Sequence, residues 1–141
     1  MKLFPLMKMI VEAAVLAVIT EFQVRRRPLR ELLLHNERRA TTGVMSPRHS
    51  ILVCTGAATA VRFVYRVLHI RNACLRESLV LHRMFRTRGI DADFRVGVDK
   101  AGDTLLGHAW VEHQGRPVLD EHVAATYVAL PPIIRENTKP H

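Results

Sequence analysis

Apolar residues recur every third or fourth position through the first half of the chain and every second position through much of the second half. The first spacing is that of helices with one buried face, the second that of half-buried strands. It predicts a helix over residues 7–23 and another entered at Pro28, whose fixed φ suits a first helical position, running through "LRELLLHNERRA". The stretch "TTGVMSP" interrupts, with Gly43 and Pro47 as breakers and Ser46 as an N-cap. A long helix then runs to about His69, with Val53, Ala57, Ala60, Val61, Val64, Val67 and Leu68 at mostly helical spacing. After "RNA" comes "CLRESLVLHRMFRTRG", a helix whose Leu75, Leu79, His82, Met84 and Phe85 face inward and which Gly89 closes.

From residue 92 the period changes. "ADFRVGV" alternates Phe94, Val96 and Val98 with polar neighbours, "DKAGD" is a turn, "TLLGHAWVEH" a second strand, "QGR" a turn and "PVLDEHV" a third strand. Helices followed by antiparallel strands make an α+β domain, its helical N-terminal half packed on a small antiparallel sheet. The 141 residues fit a single domain. Within it, residues 1–45 form an N-terminal helical part, 46–125 the core that carries the chemistry, and 126–141, ending in "PPIIRENTKPH", a C-terminal tail.

Charge is uneven. Residues 1–73 hold 12 Lys or Arg against 4 Asp or Glu, and residues 74–141 hold 9 against 9, so the whole net charge of +8 lies in the first half. Its clusters are Arg25, Arg26, Arg27 and Arg30, then Arg38 and Arg39, with Lys2 and Lys8 at the start. Such clusters suit a solvated helix face, an acidic partner or an anionic membrane surface. Few aromatics and no nucleic-acid motif speak against nucleic acid. The opening "MKLFPLMKMIVEAAVLAVITEF" has a basic start, but Glu12 interrupts its apolar run and no small-residue cleavage site follows. Val11 to Ile19 also falls short of the roughly 20 residues of a spanning helix, leaving an amphipathic or core helix with a peripheral membrane contact open. Cys54 and Cys74, the two cysteines, are too few for a disulfide framework and point to a reducing, cytoplasmic setting.

Candidate chemistry gathers around "GHAWVEHQGRPVLDE", residues 107–121. Strand, turn and strand would set His108 within reach of Asp120 across a hairpin. Parity puts Thr104, Leu106, His108, Trp110 and Glu112 on one face, so His108 lies against Trp110 and Leu106 seals the site from below. Cys74, just after Asn72 as an N-cap, begins the helix before the sheet, where the helix dipole and unpaired amides favour a thiolate. A Cys nucleophile, a His base and an Asp that orients the His make a covalent-catalysis set. A buried structural Cys74 and a surface Asp120 remain the plain alternatives. Glu112 competes for the orienting role, and His113 and His122 for the base. His69 and His82 read as structural or surface histidines and Cys54 as a small buried residue. No cluster has zinc-ligand spacing, so no metal and no cofactor are implied.

The string from "NACLRESLVLHRMFRTRGIDADFRVGVD" through "LLGHAWVEHQGRPVLDE" resembles the transglutaminase-like leader peptidases of lasso-peptide biosynthesis. The carrying positions are Cys74-Leu75, Arg86-Thr87-Arg88-Gly89-Ile90, Gly97-Val98, His108-Ala109-Trp110-Val111-Glu112, Gly115 and Asp120, and the likeness covers roughly residues 57–121. It implies a transglutaminase/papain-like cysteine protease core. It also implies removal of the leader from a ribosomally made precursor peptide, freeing an amine for a separate lasso cyclase. By the same resemblance Cys74 is nucleophile, His108 base and then acid, and Asp120 the orienting group; Trp110, beside His108 on the strand, is a candidate substrate contact. Members of the fused type carry a leader-gripping module ahead of the peptidase. This chain starts almost directly with the peptidase helices, as in the split type, which depends on a separate leader-recognition protein; the basic first half, with Arg25, Arg26 and Arg27, is the expected docking surface for that protein or for an acidic stretch of the leader. Another acyl transfer on the same scaffold, by a transglutaminase or amidase, and a non-catalytic basic binding module are the competing functions.

Overall fold

A computed structural model describes residues 3–43 and 45–134. Four helices lead: α1 (Leu3–Val24), α2 (Leu29–Arg38), α3 (Pro47–Val67) and α4 (Cys74–Thr87). The rest is β1 (Asp93–Ala101), β2 (Thr104–His113), β3 (Arg116–Pro117), the single turn α5 (Glu121–Ala124) and β4 (Val128–Ala129). The strands form one antiparallel sheet in the order β3-β2-β1-β4. The expected α+β architecture is therefore present, with helices packed on a small antiparallel sheet.

The core sits where α3 and α4 meet. Small residues let α3 approach its neighbours α1 and α4 closely: Ala57, Ala60 and Val61 have no exposed surface, and neither do Ala13 and Ala17 on α1. Helix α4 is the shared wall, packing α1, α2 and α3 on one side and β2 and β1 on the other. Its buried residues Leu79, His82, Met84 and Phe85 are those expected to face inward, while Leu75 is partly buried. The α4 terminus is a paired-turn cap. Gly89 takes φ 72°, its N–H reaches the Arg86 carbonyl at 3.1 Å, and the Ile90 N–H reaches that of Phe85 at 3.0 Å. Helix α3 ends the same way, with His69 at φ 53° in the glycine position.

Three expectations need correction. "PVLDEHV" is not a third long strand: pairing stops after Pro117, which lacks an N–H, apart from one bond from the Val118 N–H to the Val111 carbonyl at 2.9 Å. The chain then turns at Asp120, left-handed at φ 51°, into α5. Residues 126–134 are not simply a tail. Val128 and Ala129 add an edge strand opposite Val98 and Gly97, and Ile133 and Ile134 pack on the core; residues 135–141 lie outside the described residues. Finally, Asn72 does not cap α4. It is left-handed at φ 52°, and Ala73 occupies the cap with no side-chain bond. Ser46 stands at the N-cap of α3 as expected, but its side chain makes no capping bond.

A buried polar cluster ties α2 to α4. Glu37, 4% exposed, accepts from Arg86 Nε and Nη2 at 3.2 and 3.0 Å and lies 3.3 Å from His82 Nε2. The Asn36 amide lies 3.2 Å from His82 Nδ1. With one ring nitrogen against the Asn36 amide and the other against Glu37, both polar atoms of His82 are satisfied, as expected of a structural histidine. Burial pushes the Glu37 carboxyl up, but the His82 hydrogen bond and the Arg86 charge outweigh it and hold the group below its usual range. A depressed carboxylate contributes stability above its unfolded value of 4.5, and that contribution is lost as pH falls through the lower folded value. Glu37→Gln is therefore expected to lower stability at pH 7 and to flatten its loss on acidification below pH 4.5, as read by urea melts across pH. Parallel curves for the two proteins would contradict this role.

Candidate active site

Helix α4 points its first turn at the sheet. Cys74, its first residue, half-buried, opens onto a cleft of about 530 Å³ between α4, β2 and the segment around Asp120. The walls include Asn72, Glu77, Leu81, His108, Trp110, Leu119, Asp120 and Tyr127. Cys74, His108 and Asp120, far apart in the chain, thus border the same space. A buried bond fixes the relation of helix to strand: Ser78 Oγ donates to the Ala109 carbonyl at 3.1 Å, one turn beyond Cys74 and next to His108.

His108 is held by rings. It stacks on Trp110 at 5.8 Å between centroids and on Tyr127 at 5.0 Å. Its cross-strand partner is Gly97, where any Cβ would come within 2.8 Å of Trp110 Cη2 and 2.9 Å of Tyr127 Cβ. Burial lowers the His108 pKa and the negative charge of Asp120 only partly offsets it, so the imidazole is neutral at pH 7 and able to accept a proton.

Asp120 does not face His108 across a hairpin. It approaches from the left-handed turn before α5, and among the described residues its carboxylate bonds Arg62 of α3 through Oδ2 alone. That leaves Oδ1 for another donor, and the carboxylate's effect on His108 in this state is through its field. Glu77 adds a second carboxyl to the cleft. Burial raises its pKa, and nearby Asp120 raises it further while Arg62 lowers it. Arg62, Glu77 and Tyr127 escaped the sequence reading because nothing in their local pattern sets them apart; only the fold brings them to the cleft. Asn72, expected as a cap, instead lines the cleft beside Cys74 with an amide that can donate.

The competitors lie elsewhere. Glu112 accepts the Trp110 indole N–H at 2.9 Å, His113 donates from Nδ1 to the Asp91 carbonyl at 2.7 Å, and His122 is exposed on α5; none lines the cleft. Trp110, expected to touch substrate, is 5% exposed and supports the His108 ring while forming part of the wall. Leu106 does not seal the site; it is 41% exposed, and Leu81 and Leu119 supply the apolar wall. Arg25, Arg26 and Arg27 are exposed just past the end of α1. Among the described residues no group of three or more His, Cys, Asp or Glu is arranged to hold a metal ion.

Chemically, the cleft combines a thiol, a neutral imidazole and a carboxylate with first-turn amides at Cys74, which have no partner within the helix. That set can form and resolve an acyl-thiol intermediate. A sequence profile described as Transglutaminase-like superfamily matches residues 15–133. No curated protein and no solved structure matches the chain.

The two thiols are expected to differ in reactivity. Cys54 is buried on α3 and burial pushes its thiol up to about 11, whereas Cys74 borders the open cleft. Iodoacetamide near neutral pH should place one adduct per folded chain, at Cys74 by peptide mapping, with Cys54 labelled only after unfolding. Prior labelling of Cys54 would contradict the assignment.

Proposed function

The chain belongs to the Transglutaminase-like superfamily, which includes cysteine peptidases and acyl-transferases, and within it we propose that the protein is a cysteine peptidase that removes the leader from a lasso-peptide precursor. The observation that carries the reading is one cleft bordered by Cys74, a neutral His108 and Asp120. The sequence motifs around Cys74 and His108 supply the choice of substrate.

In this mechanism His108 takes the Cys74 thiol proton and the sulfur attacks the carbonyl carbon of the scissile peptide bond. The C–S bond forms, and the oxyanion is met by the Cys74 backbone N–H, with the Asn72 amide as second donor. Collapse breaks the C–N bond, and the proton on His108 goes to the departing amine, which becomes the N-terminus of the core peptide. Water then attacks the thioester, giving its proton to His108; the leader leaves as a carboxylic acid and the proton returns to sulfur. Asp120 orients the imidazole through its free Oδ1, while Arg62 holds the other oxygen. A separate leader-recognition protein delivers the precursor, and a lasso cyclase uses the freed amine.

Mass spectrometry of a precursor incubated with this protein and its recognition partner is expected to find one cut between leader and core. Cys74→Ala and His108→Ala should each lower the rate by roughly 10³-fold or more. A cross-linked or amide-exchanged product would assign the cleft to acyl transfer instead, and cleavage surviving Cys74→Ala would reject the nucleophile.

The pH profile tests Asp120 separately. The base works when neutral, so kcat/KM should fall on the acid side below 6.5, the ordinary value from which His108 is lowered. Because the Asp120 charge raises the His108 pKa, Asp120→Asn should lower kcat and move that acid limb to lower pH. An unmoved limb would count against the pairing.

A further inference from the structure

Helix α1 is apolar on two opposite sides. Its inner face, with Ala13, Leu16 and Ala17, is buried against the rest of the fold. Its outer face carries Phe4, Met7, Val11, Val15, Val18 and Phe22, three or four residues apart and each 50% to 70% exposed. Helices apolar all round are normally enclosed, and a continuous apolar face of this extent marks an interaction surface.

The charges around it are sorted. Both carboxylates of α1 are paired with α4 or its C-terminal cap: Glu12 with Arg88, at 2.9 Å from Nη1, and Glu21 with Arg76 at 3.0 Å. Among the described residues, the charges left at this surface without an ion pair are cationic, with Lys8 4.8 Å from the Phe4 ring near one end and exposed Arg25, Arg26 and Arg27 beyond the other. A second copy is a poor occupant. Side by side, two parallel α1 helices set arginines against arginines, and two antiparallel ones set the arginines against Lys8. The six outward side chains also offer no hydrogen-bonding group through which a protein partner would be read.

We propose that α1 lies flat on an anionic lipid surface, its outer face among the acyl chains and Lys8 with Arg25, Arg26 and Arg27 at the headgroups. The length and hydropathy of α1 would allow it to cross a bilayer, but its inner face and both carboxylates are engaged with the fold, which keeps the helix in the plane of the surface. Cys74 lies on another helix, and the surface is independent of the proposed peptidase reaction.

Sedimentation of the full chain with phosphatidylcholine vesicles, with and without phosphatidylglycerol, tests this. Binding is expected only with phosphatidylglycerol and should weaken with added salt. Val11→Glu with Val18→Glu, and separately Arg25→Glu with Arg26→Glu and Arg27→Glu, should each reduce it roughly tenfold or more while far-ultraviolet circular dichroism is unchanged. The triple arginine variant changes only exposed residues beyond the helix, so it stands if the valine variant misfolds. No binding to phosphatidylglycerol vesicles, or binding indifferent to the arginine variant, overturns the proposal. So does a dimer in light scattering that Val11→Glu with Val18→Glu dissolves, or release of the chain from vesicles by a leader-recognition protein, which would assign the face to that partner.

Discussion

The contact of α4 with β2 is the constraint on which the rest of the structure turns. A hydroxyl from the helix, Ser78, is buried against a strand carbonyl, Ala109, at 3.1 Å. Such a bond contributes only about 1 kcal/mol net, but leaving either group buried and unpaired costs more, so the register of helix on strand is strongly specified. Cys74 is one turn before the donor and His108 one residue before the acceptor. The far end of the same helix is fixed by Arg86 and His82 on Glu37. With both ends anchored, the thiol has little freedom to drift from the imidazole.

Electrostatics divide the cleft between its two layers. The sheet side supplies rings that shield His108 from water and favour its neutral form, and the helix side supplies Arg62, which balances the carboxylates of Asp120 and Glu77. One cation facing two carboxyls of unequal burial keeps negative charge near the imidazole without leaving it uncompensated. The same balance recurs on α1, whose carboxylates pair with Arg76 of α4 and with Arg88 at its cap.

Much of this was legible in the sequence because it rests on local period. The four long helices follow from three-to-four spacing, and the hairpin of β1 and β2 from alternation around a Gly-containing turn. What escaped rests on long-range geometry. A two-residue strand such as Val128–Ala129 has no period to detect, and its pairing to Gly97 and Val98 depends on the whole sheet. The path to Asp120 is not legible locally, because alternation in "PVLDEHV" favours pairing, whereas Pro117 ends the ladder and Asp tolerates the left-handed turn that follows. Arg62 looks like any helical arginine until α3 is laid against the cleft.

Gly97 carries a consequence for how this sequence can change over time. Its missing side chain is the space occupied by the edge of Trp110 and by Tyr127, and those two rings hold His108. A larger residue at 97 is admissible only after Trp110 has shrunk and Tyr127 has moved back, and a smaller residue at 110 removes one side of the stack. A change at 97 must therefore follow one at 110, and that intermediate already disturbs the imidazole. The pair is a ratchet: once the glycine and the tryptophan are both in place, single-step drift away from them is closed.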